Sequence, residues 1–128
     1  MVEHTALERY VTQTRRRFED VLGQMVEIPS ISMDPTKAPD IRRMADFARQ
    51  VLTDLGAEAQ IVETGGYPIV SGGWMTGSHY PTVTIYNHMD VQPAQEPEWT
   101  QAPFTFINEN GKYHGRGATD DKGPALAA

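Results

Sequence analysis

Residues 81–93 read PTVTIYNHMDVQP, and the way this stretch is read decides the fold. The run PTVTIY at 81–86 is β-branched and aromatic, which predicts a buried strand. Asn87-His88-Met89-Asp90-Val91-Gln92-Pro93 follows at its carboxyl end. Alternation along a strand puts residues i and i+2 on one face. His88 and Asp90 therefore point the same way, and Met89 points opposite. Two arrangements satisfy that pair. In one, the imidazole binds a metal through one nitrogen while the other donates to the orienting carboxylate. In the other, the histidine is simply satisfied by a neighbouring carboxylate, with no metal.

Working outward, the segment before the strand is helical and then extended. Residues 5 to 27 carry Leu7, Tyr10, Val11, Phe18, Val21, Leu22 and Met25 at helical spacing. Pro29 ends this helix, because the residue before proline avoids the α region. The Arg15-Arg16-Arg17 run within it is a solvated face beside Glu19 and Asp20. SMDPTKAPD at 32–40 reads as a polar loop, with Asp40 as the N-cap of a second helix. Ile41, Met44, Ala45, Ala48, Val51, Leu52 and Leu55 form the apolar stripe of that helix, and Gly56 suits its C′ position. AEAQIVET at 57–64 and YPIVSGGW at 67–74 read as strands about a Gly65-Gly66 turn. Gly72 and Gly73 predict a bulge or bend there, or a place where a ligand comes close.

After the histidine stretch comes VQPAQEPEWTQAP at 91–103, irregular and proline-rich. FTFINENGKYHG at 104–115 predicts a hairpin about Asn110-Gly111. RGATDDKGPALAA at 116–128 predicts a helix capped by Asp120 or Asp121, with Pro124 in its first turn. The chain stops inside that helix, which gives it the look of a truncated sequence. Helices, strands and a buried apolar strand together predict an α/β fold of one domain over residues 1–128.

Composition narrows the chemistry. The 128 residues include 17 acidic and 11 basic side chains, for a net charge of −6. That argues against nucleic acid or an anionic membrane as the main partner. With no cysteine, thiolate metal sites, disulfides and cysteine nucleophiles are excluded. Any metal must use imidazole and carboxylate ligands. The opening MVEHTALERY lacks the apolar core of a signal peptide, and no apolar run is long enough to span a bilayer, so a cytoplasmic location is expected.

Adjacent carboxylates at Asp120 and Asp121 repel unless donors or a cation compensate. A plain helix N-cap and a metal both meet that need. Taken with His88 and Asp90, three carboxylates and one imidazole could converge at one sheet end. That donor set suits zinc first, then manganese or cobalt. His4, His79 and His114 read as surface or satisfied residues. Gly115-Arg116-Gly117 lacks the rest of a dinucleotide-binding loop, and no Gly-X-Ser-X-Gly elbow supports a serine hydrolase.

Three blocks in order, YNHMDVQP, EPEWTQAPF and GKYHGRGATDDKGP, resemble the dinuclear zinc metallopeptidase superfamily of carnosine dipeptidases, carboxypeptidase G, aminoacylases and succinyl-diaminopimelate desuccinylase. VEIPSIS at 26–32 resembles the usual opening of that family, so the resemblance covers nearly the whole chain. The DVQP and DDKGP wording is most similar to the dipeptidase branch. The resemblance implies the N-terminal portion of an α/β/α catalytic domain. It implies His88 as a metal ligand, Asp90 as the residue that orients it, and Asp120 as a bridge between two divalent ions. It makes Asp121 a neighbour, not a ligand. The implied activity of the intact parent is hydrolysis of a dipeptide or N-acyl amino acid, with two ions activating a water and a glutamate moving its proton. The implied parent is a homodimer through a lid domain. That lid domain, the catalytic Glu-Glu pair, a further carboxylate and a second metal-binding histidine have no match in these residues. Glu96, Glu98 and Glu109 do not stand at the motif positions. The chain alone is therefore expected to bind metal weakly or not at all, to turn nothing over, and to leave apolar surface exposed. Two other readings remain. One is an inactive remnant or interaction module of the same fold. The other is an unrelated α/β binding domain in which His88 and Asp90 are structural.

Overall fold

A computed structural model describes residues 4–128; the first three residues of the stretch read as lacking a signal sequence lie outside it. Helix α1 spans His4–Val26. Its C-terminal half packs, with Leu22, Met25 and Val26 buried. Its N-terminal half does not, and Leu7, Tyr10 and Val11 stay more than half exposed at 52, 61 and 54%. Pro29 stops the helix where its sequence predicts.

The second helix does not start on an Asp40 cap. Asp34 caps a short 3-10 turn at Pro35–Lys37, its Oδ1 accepting from the Thr36 N–H at 2.9 Å. That turn runs directly into α2, Ala38–Asp54. Asp40 lies inside the first turn, within 3.5 Å of Lys37 and 3.2 Å of Arg43. The physical reason is that the 3-10 turn has already started the spiral, and Pro39 needs no donor partner. The far end follows the sequence. Gly56 adopts φ +90°. Its N–H donates to Thr53, and that of Ala57 to Leu52, each at 2.9 Å, which is a Schellman closure.

Strands β1, Glu58–Val62, and β2, Ile69–Gly73, form an antiparallel ribbon. Gly72 sits in regular register opposite Ala59, so the predicted bulge is absent. What comes close is α2: a Cβ on Gly72 would lie 3.0 Å from Leu52 Cδ1. A second antiparallel ribbon pairs β3, Ile107–Glu109, with β4, Lys112–His114. Asn110 and Gly111, with φ of 53° and 73°, make its turn, as an Asn-Gly hairpin requires. Phe106 and Phe18 lie 5.6 and 6.2 Å from Tyr113, which fastens this ribbon to α1. The Tyr113 hydroxyl donates to Glu19 at 2.8 Å. The short helix α3, Lys122–Ala127, also lies against α1.

The largest departure concerns residues 81–90, which form no strand. Val83, Ile85 and Tyr86 are 80, 60 and 85% exposed. A strand exists only through its neighbours, and both ribbons among the described residues pair within themselves. Among the described residues, the one isolated β-bridge is a parallel pairing of Ile31 with Val91, just beyond this stretch. The alternation nevertheless survives. Met89 packs against the core of Met25, Ile28, Met44 and Ala48. His88 and Asp90 stay 41 and 45% exposed on the opposite side. Among the described residues, no helix is long and apolar enough to cross a membrane.

Candidate functional site

Residues 30–32 form the template for the histidine stretch. The Ser30 hydroxyl donates to the Met89 carbonyl at 2.6 Å, and the Val91 N–H donates back to Ser30 at 2.9 Å. Ser30 is 1% exposed, so these bonds are well shielded. Two positions on, the Ser32 hydroxyl donates to Asp90 Oδ2 at 2.5 Å. The other carboxylate oxygen of Asp90 lies 3.2 Å from His88 Nδ1, and the Asp90 carbonyl lies 3.1 Å from the same nitrogen.

The other face of the ring meets the second acidic segment. His88 Nε2 lies 3.1 Å from Asp120 Oδ1. Asp121 occupies the N-cap position of α3 but caps nothing with its side chain. Its Oδ2 instead accepts from the His88 backbone N–H at 3.2 Å. In the orientation that satisfies both ends of its amide, Asn87 also donates to that oxygen at 3.2 Å. Three carboxylates thus surround His88, as the sequence predicts, without a sheet end to hold them. The peptide bond between Asp120 and Asp121 is cis.

This arrangement has an electrostatic consequence. A neutral imidazole carries one N–H, so it satisfies an acceptor at only one nitrogen. Here both nitrogens face carboxylate oxygens. Both contacts are therefore satisfied together only when a second proton or a metal cation is present. Partial burial works against the protonated ring. The carbonyl and carboxylate of Asp90, and then Asp120, outweigh it and raise the His88 pKa. The donor set also fits a cation. Two ligands held about 2.0–2.1 Å from one tetrahedral ion lie about 3.3 Å apart, close to the 3.1 Å between Nε2 and Asp120 Oδ1. Asp90 occupies the other nitrogen, so only two donors aim at that point. Accordingly, no group of three or more potential ligands converges among the described residues.

The acidic segment is held by features that sequence reasoning passed over. Lys122 is fully buried, and its ammonium donates to the carbonyls of Met25 and Ile28 at 2.7 and 2.8 Å. Desolvation lowers its pKa to about 8. A lysine in the first turn of a helix opposes the helix dipole, and that mismatch was the available signal. Gly115 and Gly117, with φ of +142° and +89°, let the chain pass Val26 and Val91. A Cβ would lie 2.5 Å from Val26 Cγ1 at the first and 2.9 Å from Val91 Cγ1 at the second. Arg116 between them donates to Glu96 at 2.6 Å and to the Pro93 carbonyl at 3.1 Å, with Trp99 5.3 Å away. Glu96 is thereby engaged in structure, as its second oxygen also accepts from Trp99 Nε1 at 2.9 Å.

The remaining histidines lie elsewhere. His4 sits 3.2 Å from Glu8 on α1, His79 stacks on Tyr80 at 4.2 Å, and His114 faces Ile107 in the second ribbon.

Residues 84–128, which hold all four site residues from His88 to Asp121, match Peptidase family M20/M25/M40. The chain is 39% identical to the Cys-Gly metallodipeptidase dug1 of Schizosaccharomyces pombe, over 94% of this chain and 28% of that protein. It is 34% identical to the Beta-Ala-His dipeptidase of Rattus norvegicus, over 94% of this chain and 27% of that protein. The fold superposes on human carnosine dipeptidase 1 with a TM-score of 0.86 and 32% identity, covering 93% of this chain and 28% of that one. An M20 family metallo-carboxypeptidase from Sulfolobus solfataricus gives a TM-score of 0.75 at 34% identity, covering 86% of this chain and 25% of that one. The resemblance drawn from the three sequence blocks is thus borne out. The chain is a relative of the M20 peptidases, with dipeptidases among its relatives, and it carries part of their catalytic fold. It spans a little over a quarter of the length of the curated relatives it matches.

Proposed function

We propose that this relative of the M20 peptidases is the N-terminal part of the catalytic domain of a metal-dependent dipeptidase, and that His88 and Asp120 are metal ligands in it. The observation that carries this reading is the imidazole flanked by acceptors on both nitrogens, with Nε2 3.1 Å from Asp120 and Nδ1 held by Asp90. Asp90 fixes the Nδ1–H tautomer and leaves the Nε2 lone pair for the ion. Asp120, with its side chain 87% exposed, is open to a second ion and suits the bridging role. Two divalent ions, zinc first, would supply the Lewis acidity that activates water against an amide carbonyl. Asp121 is the neighbour that braces the His88 backbone and stays outside the ligand set.

Two donors do not close a tetrahedral site. Glu96, the acidic side chain nearest in sequence after the histidine stretch, is committed to Arg116 and Trp99. Metal binding by these 128 residues alone is therefore weak, and the proton-transferring glutamate and remaining ligands are supplied by other residues of the active protein. The substrate is a dipeptide or an N-acyl amino acid, and the active protein works as a homodimer in the cytoplasm.

The test is metal content of the protein expressed in its full native reading frame. Wild type is expected to hold two zinc ions per chain and to hydrolyse dipeptides. His88→Ala is expected to lose at least one ion and essentially all activity. Unchanged zinc stoichiometry in that variant would remove His88 from the ligand set.

A further inference from the structure

Asp90 has both carboxylate oxygens engaged, one by His88 Nδ1 at 3.2 Å and the other by the Ser32 hydroxyl at 2.5 Å. We propose that Ser32 is a positioning residue that locks the Asp90 carboxylate and, through it, aims the metal-facing nitrogen of His88. The proposal rests on the reading of His88 as a ligand.

Several observations support it. The Ser32–Asp90 bond has the length expected when a hydroxyl donates to an ionised carboxylate, the strong class of hydrogen bond. An aspartate side chain rotates broadly about its last torsion. An Asp90 held at one oxygen only would sample orientations that do not present Oδ1 to the ring. Ser32 is itself built in. The Tyr67 hydroxyl, from the loop between β1 and β2, donates to the Ser32 carbonyl at 2.7 Å. On the other side, the parallel bridge of Ile31 with Val91 and the Ser30 bond to Met89 fix the register. Ser32 is thus set directly against Asp90 by contacts 58 residues apart in sequence. The period-2 pattern Ser30-Ile31-Ser32 buries Ile31 at 8% exposure and turns both hydroxyls toward the histidine stretch. Ser30 serves the backbone there, and Ser32 serves the side chain.

The experiment uses the protein in its full native reading frame and Co2+ as the probe, read by its visible d–d absorption and by its dissociation constant. Ser32→Val and Ser32→Thr have the same shape and differ only in the hydroxyl. The valine variant is expected to bind Co2+ roughly tenfold more weakly, with a changed band shape. The threonine variant is expected to restore both. If valine does not fold, Ser32→Ala against wild type makes the same comparison. Equal Co2+ affinity and identical spectra for the valine and threonine variants, with His88→Ala still losing the ion, would overturn the role of Ser32 and leave the metal reading standing. Wild-type Co2+ binding by His88→Ala would overturn the metal reading itself, and the role of Ser32 with it.

Discussion

Lys122→Ala is expected to lower the unfolding free energy by about 4 kcal/mol, near the large end for a single substitution. Three terms decide the figure. The Met25 and Ile28 carbonyls lose the ammonium that holds them at 2.7 and 2.8 Å, and an unsatisfied buried acceptor costs about 1–3 kcal/mol. The four-carbon stem of a fully buried side chain disappears, and a cavity of that kind costs about 2–5 kcal/mol. Against these stands the charge. A pKa lowered by burial to about 8 means that desolving the ammonium costs about 3 kcal/mol at neutral pH, which the variant regains. Lys122→Met separates the terms. It refills the cavity and removes the charge but leaves the carbonyls unpartnered, so at pH 7 it is expected to be nearly neutral.

The same balance gives a pH dependence. The folded pKa of Lys122 lies below the ordinary lysine value, so above about pH 8 the unfolded chain binds more protons than the folded one. Stability therefore rises from about pH 8 toward pH 10 and is lost again as pH falls through about 8. The Tyr113 hydroxyl is pushed up from its ordinary value by burial and by its bond to Glu19. Urea midpoints at pH 7 and pH 10 check both points. An alanine variant with the wild-type midpoint would mean that water takes over both carbonyls. A methionine variant with the same rise between the two pH values as wild type would assign the rise to other groups.

Gly123→Ala is expected to cost at least about 3 kcal/mol, the upper end of ordinary overpacking. A Cβ on Gly123 would lie 2.1 Å from the Ala118 carbonyl oxygen and 3.3 Å from its carbon. That contact is with backbone, which cannot swing aside as a side chain does. The carbonyl belongs to the segment that carries Asp120 and Asp121. This segment is tied by the Lys122 N–H to Gly117 at 3.0 Å and by the Ala118 N–H to Gly115 at 3.1 Å. Making room means separating α3 from the loop and drawing Asp120 away from His88. If His88 and Asp120 are metal ligands as proposed, the protein in its full native reading frame is expected to lose metal as well as stability. Gly73→Ala is the control, because nothing lies within 4 Å of its Cβ, and a change within about 0.5 kcal/mol is expected. Equal urea midpoints for the two variants would show that the loop at Ala118 yields easily.

Much of this was legible in the sequence, and for local reasons. The helical spacing of Leu7, Tyr10, Val11, Phe18, Val21, Leu22 and Met25 gave α1, but only packing decided that Leu22 and Met25 are buried while Leu7, Tyr10 and Val11 stay exposed. Asn110-Gly111 specifies its hairpin turn, and Gly56 its helix stop, because each needs a backbone conformation that few residues adopt. The alternation of His88, Met89 and Asp90 puts Met89 in the core and the other two outside. It does so even though residues 81–90 gain no strand partner. The three sequence blocks pointed to the peptidase family that residues 84–128 match.

What the sequence determined by itself was which side chains face together and which turns the backbone takes, since both follow from residues within a few positions of one another. Tertiary structure alone decided which hydrogen-bond partners they meet. Ser32 reaches Asp90 across 58 residues, and Lys122 reaches Met25 across 97. Asp120 or Asp121 was expected to cap α3; Asp121 holds the N-cap position, but its side chain accepts from the His88 N–H and makes no capping bond. A partner's identity, and the desolvation that sets the strength of the bond, depend on how distant segments pack, and no local periodicity encodes that.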